Sequence, residues 1–528
     1  MLSRPSLKTP TTILVLALSS VYGASCARGL EDVAAASATG TGPSSQLFET
    51  ASKGFDVSPE ERKKRRTRCL KRMKKAAAGS PAALLLRAPP TSKFAGDVHY
   101  LYRPDNDLYY LSGVELPGVT LLLSTDRLLS SDRLLSSDRL LSSDRLLSTK
   151  PLLPADDSKD SATLGSAILF YDETAKGSDI WHGDTPSIGE LARHCGLPQH
   201  AILPSSELDT TLKKFAGWGD NRAVLFYRTK RFRAGARPSP SWSYLLDTLG
   251  SAALGLDVRS PSDVLSPLRE IKSPAEISLI RRAVEATNEA HRRVFRSIVP
   301  GDTEFQLRSR IEGCFLEFGM GRAFPSIVGS GPNSCVLHYQ KYGRRVEEGD
   351  LVLLDIGAEC GYYAADITRT IPANGKFSPR QREVYEIVLR AQKASIATIR
   401  PGVTVDEVEG AAREVIAKGL VKLGLIEHTS QSRQYFMHGS THGVGLAVHD
   451  RLPSDRLKTG MVVTVEPGIY IREESLGIRI EDDILVTKDG HEVLSRALPR
   501  EIDELERAMA ASRRARGSQK TDEASKER

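Results

Sequence analysis

Three histidines fall within the short stretch MHGSTHGVGLAVHD (437–450). His438 and His442 have the i, i+4 spacing that sets two zinc ligands on one helical turn, as in HExxH. That motif needs a glutamate beside the first histidine as general base, and Gly439 stands there instead. Gly443 and Gly445 follow, and each glycine inside a helix costs about 1 kcal/mol. The stretch is therefore expected to run as turn and strand, with different tasks for the three histidines. If one of them binds metal, its companion ligands must come from elsewhere.

Acids at the ends of apolar runs supply them. LVLLDIGAECGYYAADITRTIP (351–372) reads as two strands around a turn near Gly361, with Asp355 closing a buried run and Asp366 in the returning strand. MVVTVEPGIYI brings Glu466 to the end of a β-branched run, and GIRIEDDILV sets Glu481 beside Asp482 and Asp483. A buried carboxylate is costly unless paired or metal-bound. For any one of these acids an ion pair or a helix cap competes as the explanation; the set of four with one histidine does not reduce to that. Carboxylate-rich, thiol-free ligation suits Mn²⁺, Co²⁺ or Zn²⁺. Five ligands exceed the needs of one tetrahedral ion and suit two ions about 3.5–4 Å apart.

The series Asp355, Asp366, His442, Glu466, Glu481, in its DITRT, VEPG and RIEDD contexts, resembles the pita-bread metallopeptidases. Within them it is similar to aminopeptidase P, the Xaa-Pro aminopeptidases. YRPDNDLYYLSG (102–113), IKSPAEI (271–277), GSGPNSCVLHY (329–339) and NGKFSPRQREVYEIVL (374–389) extend the resemblance over about residues 61–508. It implies an α+β chain: a pita-bread catalytic domain (266–508) after a smaller α/β amino-terminal domain (58–265). It implies two divalent ions, Mn²⁺ foremost, with Asp355 on one, His442 and Glu466 on the other, and Asp366 and Glu481 bridging. Glu466 would also carry a proton toward the leaving proline nitrogen. His338 and His449 would contact the substrate carbonyl and the tetrahedral oxyanion, and His438 would line the proline pocket. Arg479 would orient Asp355, and Tyr470 would line the mouth of the site. The implied substrates are peptides or protein amino termini with proline second, and the implied assembly is a dimer or tetramer. Trp181 resembles a residue that reaches a neighbouring subunit's site, although His182 follows it here. Prolidase, methionine aminopeptidase and a non-catalytic binding module on the same fold are the competing readings.

Other segments must position these residues. Apolar runs AALLLRA, GVTLLLS, AILFYDE and RAVLFYR read as buried strands of an α/β unit. DRLLSS recurs with period six from Asp126, which is not a heptad, and reads as a low-complexity insert at about 124–160. The Pro/Ser-rich stretch 236–267 reads as an interdomain connection. A helix is expected from Ser273 as N-cap, with Pro274 in its first turn, Glu276 completing a capping box, and a stripe of Ile277, Ile280, Val284 and Val294. Residues 509–528 read as a disordered tail.

Bulk composition narrows the function classes. The net charge of +7 is smaller than the charge of one segment, RKKRRTRCLKRMKK (62–75), which has ten Lys/Arg and no acid. The rest is near neutral, so nucleic acid is not an expected partner; the segment reads as a solvated helix face, with an anionic contact as the alternative. No apolar run reaches the roughly 20 residues of a membrane helix. Six cysteines without a CxxC pair read as reduced or inert thiols. Residues 1–57 read as a leader: Arg4, Lys8, Arg28 and no acid within the first thirty residues suggest a mitochondrial transit peptide, and ILVLALSSVYGA (13–24) offers a secretory signal as the alternative.

Overall fold

The computed structural model describes residues 56–95, 98–126, 165–173, 185–216, 223–229 and 240–510. Most of the expected leader (1–55 of 1–57), the repeat beyond Asp126, Trp181 and most of the expected tail (511–528 of 509–528) lie outside the described residues, whereas Met509 stands in a described helix and is buried.

In the amino-terminal half, β1 (Ala82–Arg87), β2 (Thr120–Ser124), β3 (Ser166–Phe170), β4 (Ile202–Leu203), β5 (Val224–Tyr227) and β6 (Asp257–Arg259) form one sheet, ordered β4-β3-β2-β1-β5-β6. The four expected apolar runs are β1, β2, β3 and β5. The sheet is mixed, since β1 runs antiparallel to β2 and parallel to β5. Period-two alternation sorts its side chains into two cores. Leu84, Leu86, Leu121 and Leu123 join the first, under α1 (Pro59–Ala76), α2 (Asn106–Ser112) and α3 (Ile188–Cys195). Leu85, Leu122, Ile168 and Leu225 join the second, under α4 (Leu208–Ala216) and α5 (Pro240–Leu249).

Two expectations fail in this half. Residues 236–267 are not a plain connection, because α5, β6 and α6 (Ser262–Arg269) occupy most of them and β6 pairs with β5. Pro240 stands in the first turn of α5, where proline is tolerated; Pro267 lies inside α6, and buried Leu245, Val264 and Leu265 give these elements their packing. The basic run is not a solvated face throughout. Arg62, Arg65 and Arg66 are buried on the same side of α1 as Cys69, Leu70 and Met73, at i, i+3, i+4 spacing. Arg65 donates to Tyr110 O at 3.1 Å and Tyr363 Oη at 3.2 Å, and pairs with Glu276 at 3.4 Å. Arg66 donates to Leu111 O and Gly196 O, both at 2.7 Å.

The carboxy-terminal half opens with α7 (Pro274–Ser297), which carries the expected capping box between Ser273 and Glu276. It is followed by α8 (Glu304–Glu317), β7 (Gly321–Arg322), β8 (Ile327–Ser330), β9 (Leu351–Ile356), β10 (Ala358–Cys360), β11 (Tyr363–Ala364) and β12 (Ile367–Pro372). Then come α9 (Pro379–Thr398), α10 (Val405–Lys422), β13 (Val462–Val465), β14 (Gly468–Ile471), β15 (Leu476–Arg479), β16 (Asp482–Thr487) and β17 (Gly490–Val493). Four small sheets result: β8-β9-β12, β11-β10-β7, β13-β16-β17 and β14-β15.

The stretch 351–372 forms four strands in two sheets rather than two strands in one. The turn at Gly361 is present, but a break at Gly357 sends β9 to β12 and β10 to β11. A Cβ at Gly357 would stand 1.8 Å from Ala365 O, so only glycine lets the chain cross there.

The half also repeats itself. Thr303 caps α8 and bridges Arg345; Thr404 caps α10 and bridges Arg456. Gly301 N donates to Val346 O and Gly402 N to Leu457 O, each at 2.8 Å. The interval from Arg345 to Arg456 also separates Asp355 from Glu466 and His338 from His449. Two copies of one supersecondary plan thus contribute equivalent positions to a shared centre.

Candidate dimetal active site

Backbone pairing fixes each acid. Asp355 lies in β9, opposite Ile327 of β8 and Thr368 of β12. Asp366, between β11 and β12, donates its N–H to Asp483 Oδ2 at 3.0 Å. Glu481, between β15 and β16, donates its N–H to Thr368 O at 3.1 Å and accepts Thr368 Oγ1 at 2.6 Å. Glu466 follows β13 and donates its N–H to Ser440 O at 3.0 Å.

His442 sits on a non-helical segment laid along β13, as its glycine neighbours imply. Its N–H donates to Thr464 Oγ1 at 3.2 Å, its carbonyl accepts Thr464 N at 2.9 Å, and Gly443 bridges Val463 and Asp450. His442 Nε2 lies 3.5 Å from both Asp366 Oδ2 and Glu466 Oε1.

The candidate ligand atoms converge. Asp355, Asp366 and Glu481 place oxygens within 4.8 Å of one another; so do His442, Glu466 and Glu481, and a third group joins Asp366, His442 and His449. They line a cavity of about 560 Å³ together with His338, His438, Thr441 and His449. Phe324, Pro325, Ile327, Leu337 and Val448 form its apolar walls. His338 and His449 are exposed into solvent, and the His449 ring lies 4.2 Å from that of His442.

The electrostatics test whether cations fit. Burial, then mutual repulsion, holds the Asp366 and Glu481 carboxyls well above the usual carboxylate range. Burial, with Asp355 adding to it against the pull of Arg479, pushes Glu466 up to about 8. Asp355 Oδ1 is buried and has no hydrogen-bond partner among the described residues. Asp366, Glu466 and Glu481, all raised, need more positive charge close by to ionise together. Burial holds the His442 and His438 imidazoles down at about 4, so both are neutral donors of a lone pair or a proton near pH 7. Oxygen and imidazole donors with no thiolate fit hard or borderline divalent ions.

Arg479 ties several side chains together on one side of the centre. It donates to Asp355 Oδ2 at 2.6 Å, Tyr470 Oη at 2.8 Å and Thr368 Oγ1 at 3.3 Å. Tyr470 corrects an expectation. It does not line the mouth; it is buried behind His438 and Arg479, and its hydroxyl lies 2.9 Å from His438 Nε2. The reason is its strand: Tyr470 in β14 packs inward on Ile327 and Leu353. Phe436 meets the His438 ring edge-on at 5.2 Å.

Two contributors escaped the sequence reading. Thr368 bridges Glu481 and Arg479, and Asp483 anchors the Asp366 peptide. Both sit inside motifs already singled out, DITRT and RIEDD, where a buried hydroxyl or acid next to a ligand was the available signal.

Comparison with known proteins agrees with this geometry. Residues 278–488 match the model for metallopeptidase family M24, and residues 62–138 match the aminopeptidase P N-terminal domain. A Xaa-Pro aminopeptidase of Escherichia coli is 33% identical over 491 residues, covering 87% of this chain and 99% of the relative. The mitochondrial intermediate cleaving peptidase 55 of Arabidopsis thaliana is 30% identical, covering 80% of this chain and 78% of the relative. The solved aminopeptidase P of E. coli with the inhibitor Pro-Leu superposes with a TM-score of 0.71 at 31% identity, covering 87% of this chain and 100% of that one. Family matches, relatives and solved structures agree: the chain belongs to metallopeptidase family M24, in its aminopeptidase P branch, with a pita-bread domain behind an aminopeptidase P amino-terminal domain.

Proposed function

We propose that this chain hydrolyses the first peptide bond of peptides and proteins whose second residue is proline, releasing the amino-terminal residue. The observation that carries the proposal is the meeting of Asp355, Asp366, His442, Glu466 and Glu481 in one cavity with His338, His438 and His449. Two divalent ions would be held there, Asp355 on one, His442 and Glu466 on the other, Asp366 and Glu481 shared. When bound, such a pair supplies Lewis-acid polarisation and a water that ionises near neutral pH. Manganese is the proposed native metal, since four carboxylates among five ligands favour a hard ion.

The protein's own groups do the rest. His338 and His449, exposed imidazoles on corresponding loops, donate to the scissile carbonyl oxygen as negative charge builds there. Glu466 delivers a proton to the proline nitrogen, which must leave as an amine. His438, held by Tyr470 Oη and the Phe436 edge, offers a rigid wall to a proline ring. Xaa-Pro is a tertiary amide without N–H, so strand-pairing proteases grip it poorly. A cavity that engages the free amino end and a flat ring does not depend on that N–H.

In this reading residues 58–265 shape the approach to the site and the contacts between subunits, residues 266–508 carry the chemistry, and the chain assembles as a dimer or tetramer. The mitochondrial plant relative supports a finer proposal: the leader directs the chain to mitochondria, where it trims imported precursors. A fusion of residues 1–57 to a fluorescent reporter tests this. Mitochondrial fluorescence is the expected result, and reporter in the medium contradicts it.

The activity itself is tested with Mn²⁺-loaded protein on Xaa-Pro-Xaa tripeptides and Xaa-Pro dipeptides. Tripeptide cleavage after the first residue is expected. Cleavage of dipeptides alone would make the chain a prolidase, and cleavage of neither a binding module.

A further inference from the structure

A fully buried carboxylate outside the metal centre holds the loop that presents His338. Glu304 is the first residue of α8 and is 0% exposed. Its Oε1 accepts Ser330 N at 2.8 Å, Ser330 Oγ at 2.8 Å and Asn333 Nδ2 at 3.0 Å. Its Oε2 accepts Tyr339 Oη at 2.8 Å and Arg344 N at 3.1 Å. Glu304 N in turn donates to Arg344 O at 3.1 Å. One side chain thus ties together both ends of the segment 330–344 and two points within it.

His338 lies between two of those points, Asn333 and its immediate neighbour Tyr339. The imidazole is exposed in the cavity, and among the described residues no side chain hydrogen-bonds to it from the front. Its placement depends on the backbone behind it. That backbone is also pinned to β15, where Gly477 N donates to Ser334 Oγ at 2.9 Å and a Cβ on Gly477 would strike Ser334 O at 2.2 Å. The second half of the repeat has a parallel device: Glu409 Oε1 accepts Ser440 N at 3.1 Å, beside His438.

We infer that Glu304 is a positioning residue for this aminopeptidase, acting through His338. The inference rests on the proposed role of His338 at the substrate carbonyl. Glu304 touches neither substrate nor metal ligands. A carboxylate is suited to the place because it accepts from five donors, whereas an amide keeps one acceptor oxygen and turns a donor toward Tyr339 Oη or Ser330 N. A displacement of about 1 Å in a catalytic group is enough to cost on the order of a hundredfold in rate.

The test is a double-mutant cycle on full-length, Mn²⁺-loaded protein with a Xaa-Pro-Xaa tripeptide. Glu304→Gln, His338→Ala and the double variant are compared for kcat, KM, bound metal and thermal midpoint. Tyr339→Phe, which removes one hydroxyl and keeps the ring, serves as the milder variant if Glu304→Gln fails to fold. Glu304→Gln is expected to lower kcat at least about tenfold with metal content unchanged, and Tyr339→Phe to lower it less. In the His338→Ala background both are expected to change kcat less than about twofold, because the group they position is gone. The inference is overturned if the losses multiply in that background, or if kcat is untouched while only the midpoint falls. Wild-type kcat in His338→Ala would instead overturn the role given to His338 itself.

Discussion

Arg479 Nη2 stands 2.6 Å from Asp355 Oδ2, and the guanidinium is 3% exposed. It is a cation that Asp355, Glu466 and Glu481 share. Its planar fork serves Asp355, Tyr470 and Thr368 at once, which a lysine ammonium on a flexible stem does not reproduce. Arg479→Lys is therefore expected to lower kcat/KM or metal affinity by about 10–100-fold. Steady-state kinetics with metal analysis checks this, and a wild-type Arg479→Lys would show that Asp355 needs no such partner.

Metal-free protein is expected to lose stability as pH rises above 6.5. Glu466, raised from 4.5 to about 8, contributes stability that is complete below 4.5 and lost as pH climbs through 8; Asp366 and Glu481 act in the same sense. His438 and His442, lowered from 6.5 to about 4, contribute stability complete above 6.5 and lost as pH falls through 4. The two effects oppose each other below 6.5; above it the imidazoles are neutral in both states and the carboxylates act without them. Thermal midpoints in chelator between pH 6.5 and 8 should fall, while those of metal-loaded protein should hold. A midpoint that rises in chelator contradicts the picture of crowded acids.

Gly357→Ala should damage the centre from a distance. The new Cβ would sit 1.8 Å from Ala365 O and press on Phe324, forcing β9 and Asp366 apart. Overpacking of this kind costs about 1–3 kcal/mol or more. Chemical denaturation and metal titration are the measurements; unchanged stability with full metal affinity would show that the crossing relaxes without strain.

Arg269 joins the two halves, donating to Asp107 Oδ1 at 2.7 Å and to Asp450 Oδ1 at 2.8 Å, next to His449. Removing one member of a buried ionic group leaves uncompensated charge, at about 3–5 kcal/mol. Arg269→Ala should lower the denaturant midpoint and kcat together. A stable variant of unchanged kcat would mean that Asp450 is held well enough by Lys272, 3.7 Å away.

Legibility followed the physics of burial. The acids that meet in the cavity stood out because a carboxylate in or at the end of an apolar run is costly unless paired or metal-bound, and α7 was readable because its capping box is local. Buried arginines were not, since a run of ten cations looks solvated until its i, i+3, i+4 subset of Arg62, Arg65 and Arg66 is seen to continue through Cys69, Leu70 and Met73. The elements at 240–269 were hidden because Pro and Ser signal loops as well as helix starts. Glu304 was masked by its position: an acid in a first helical turn reads as a dipole partner, and only the fold brings Ser330, Asn333 and Tyr339 to it.

Counting divalent ions in active protein and in Glu481→Ala addresses the central claim most directly. Elemental analysis should find about two ions per chain in the wild type, and fewer in the variant together with lost turnover. An active Glu481→Ala that keeps both ions, or wild-type turnover that survives complete chelation, would contradict the account.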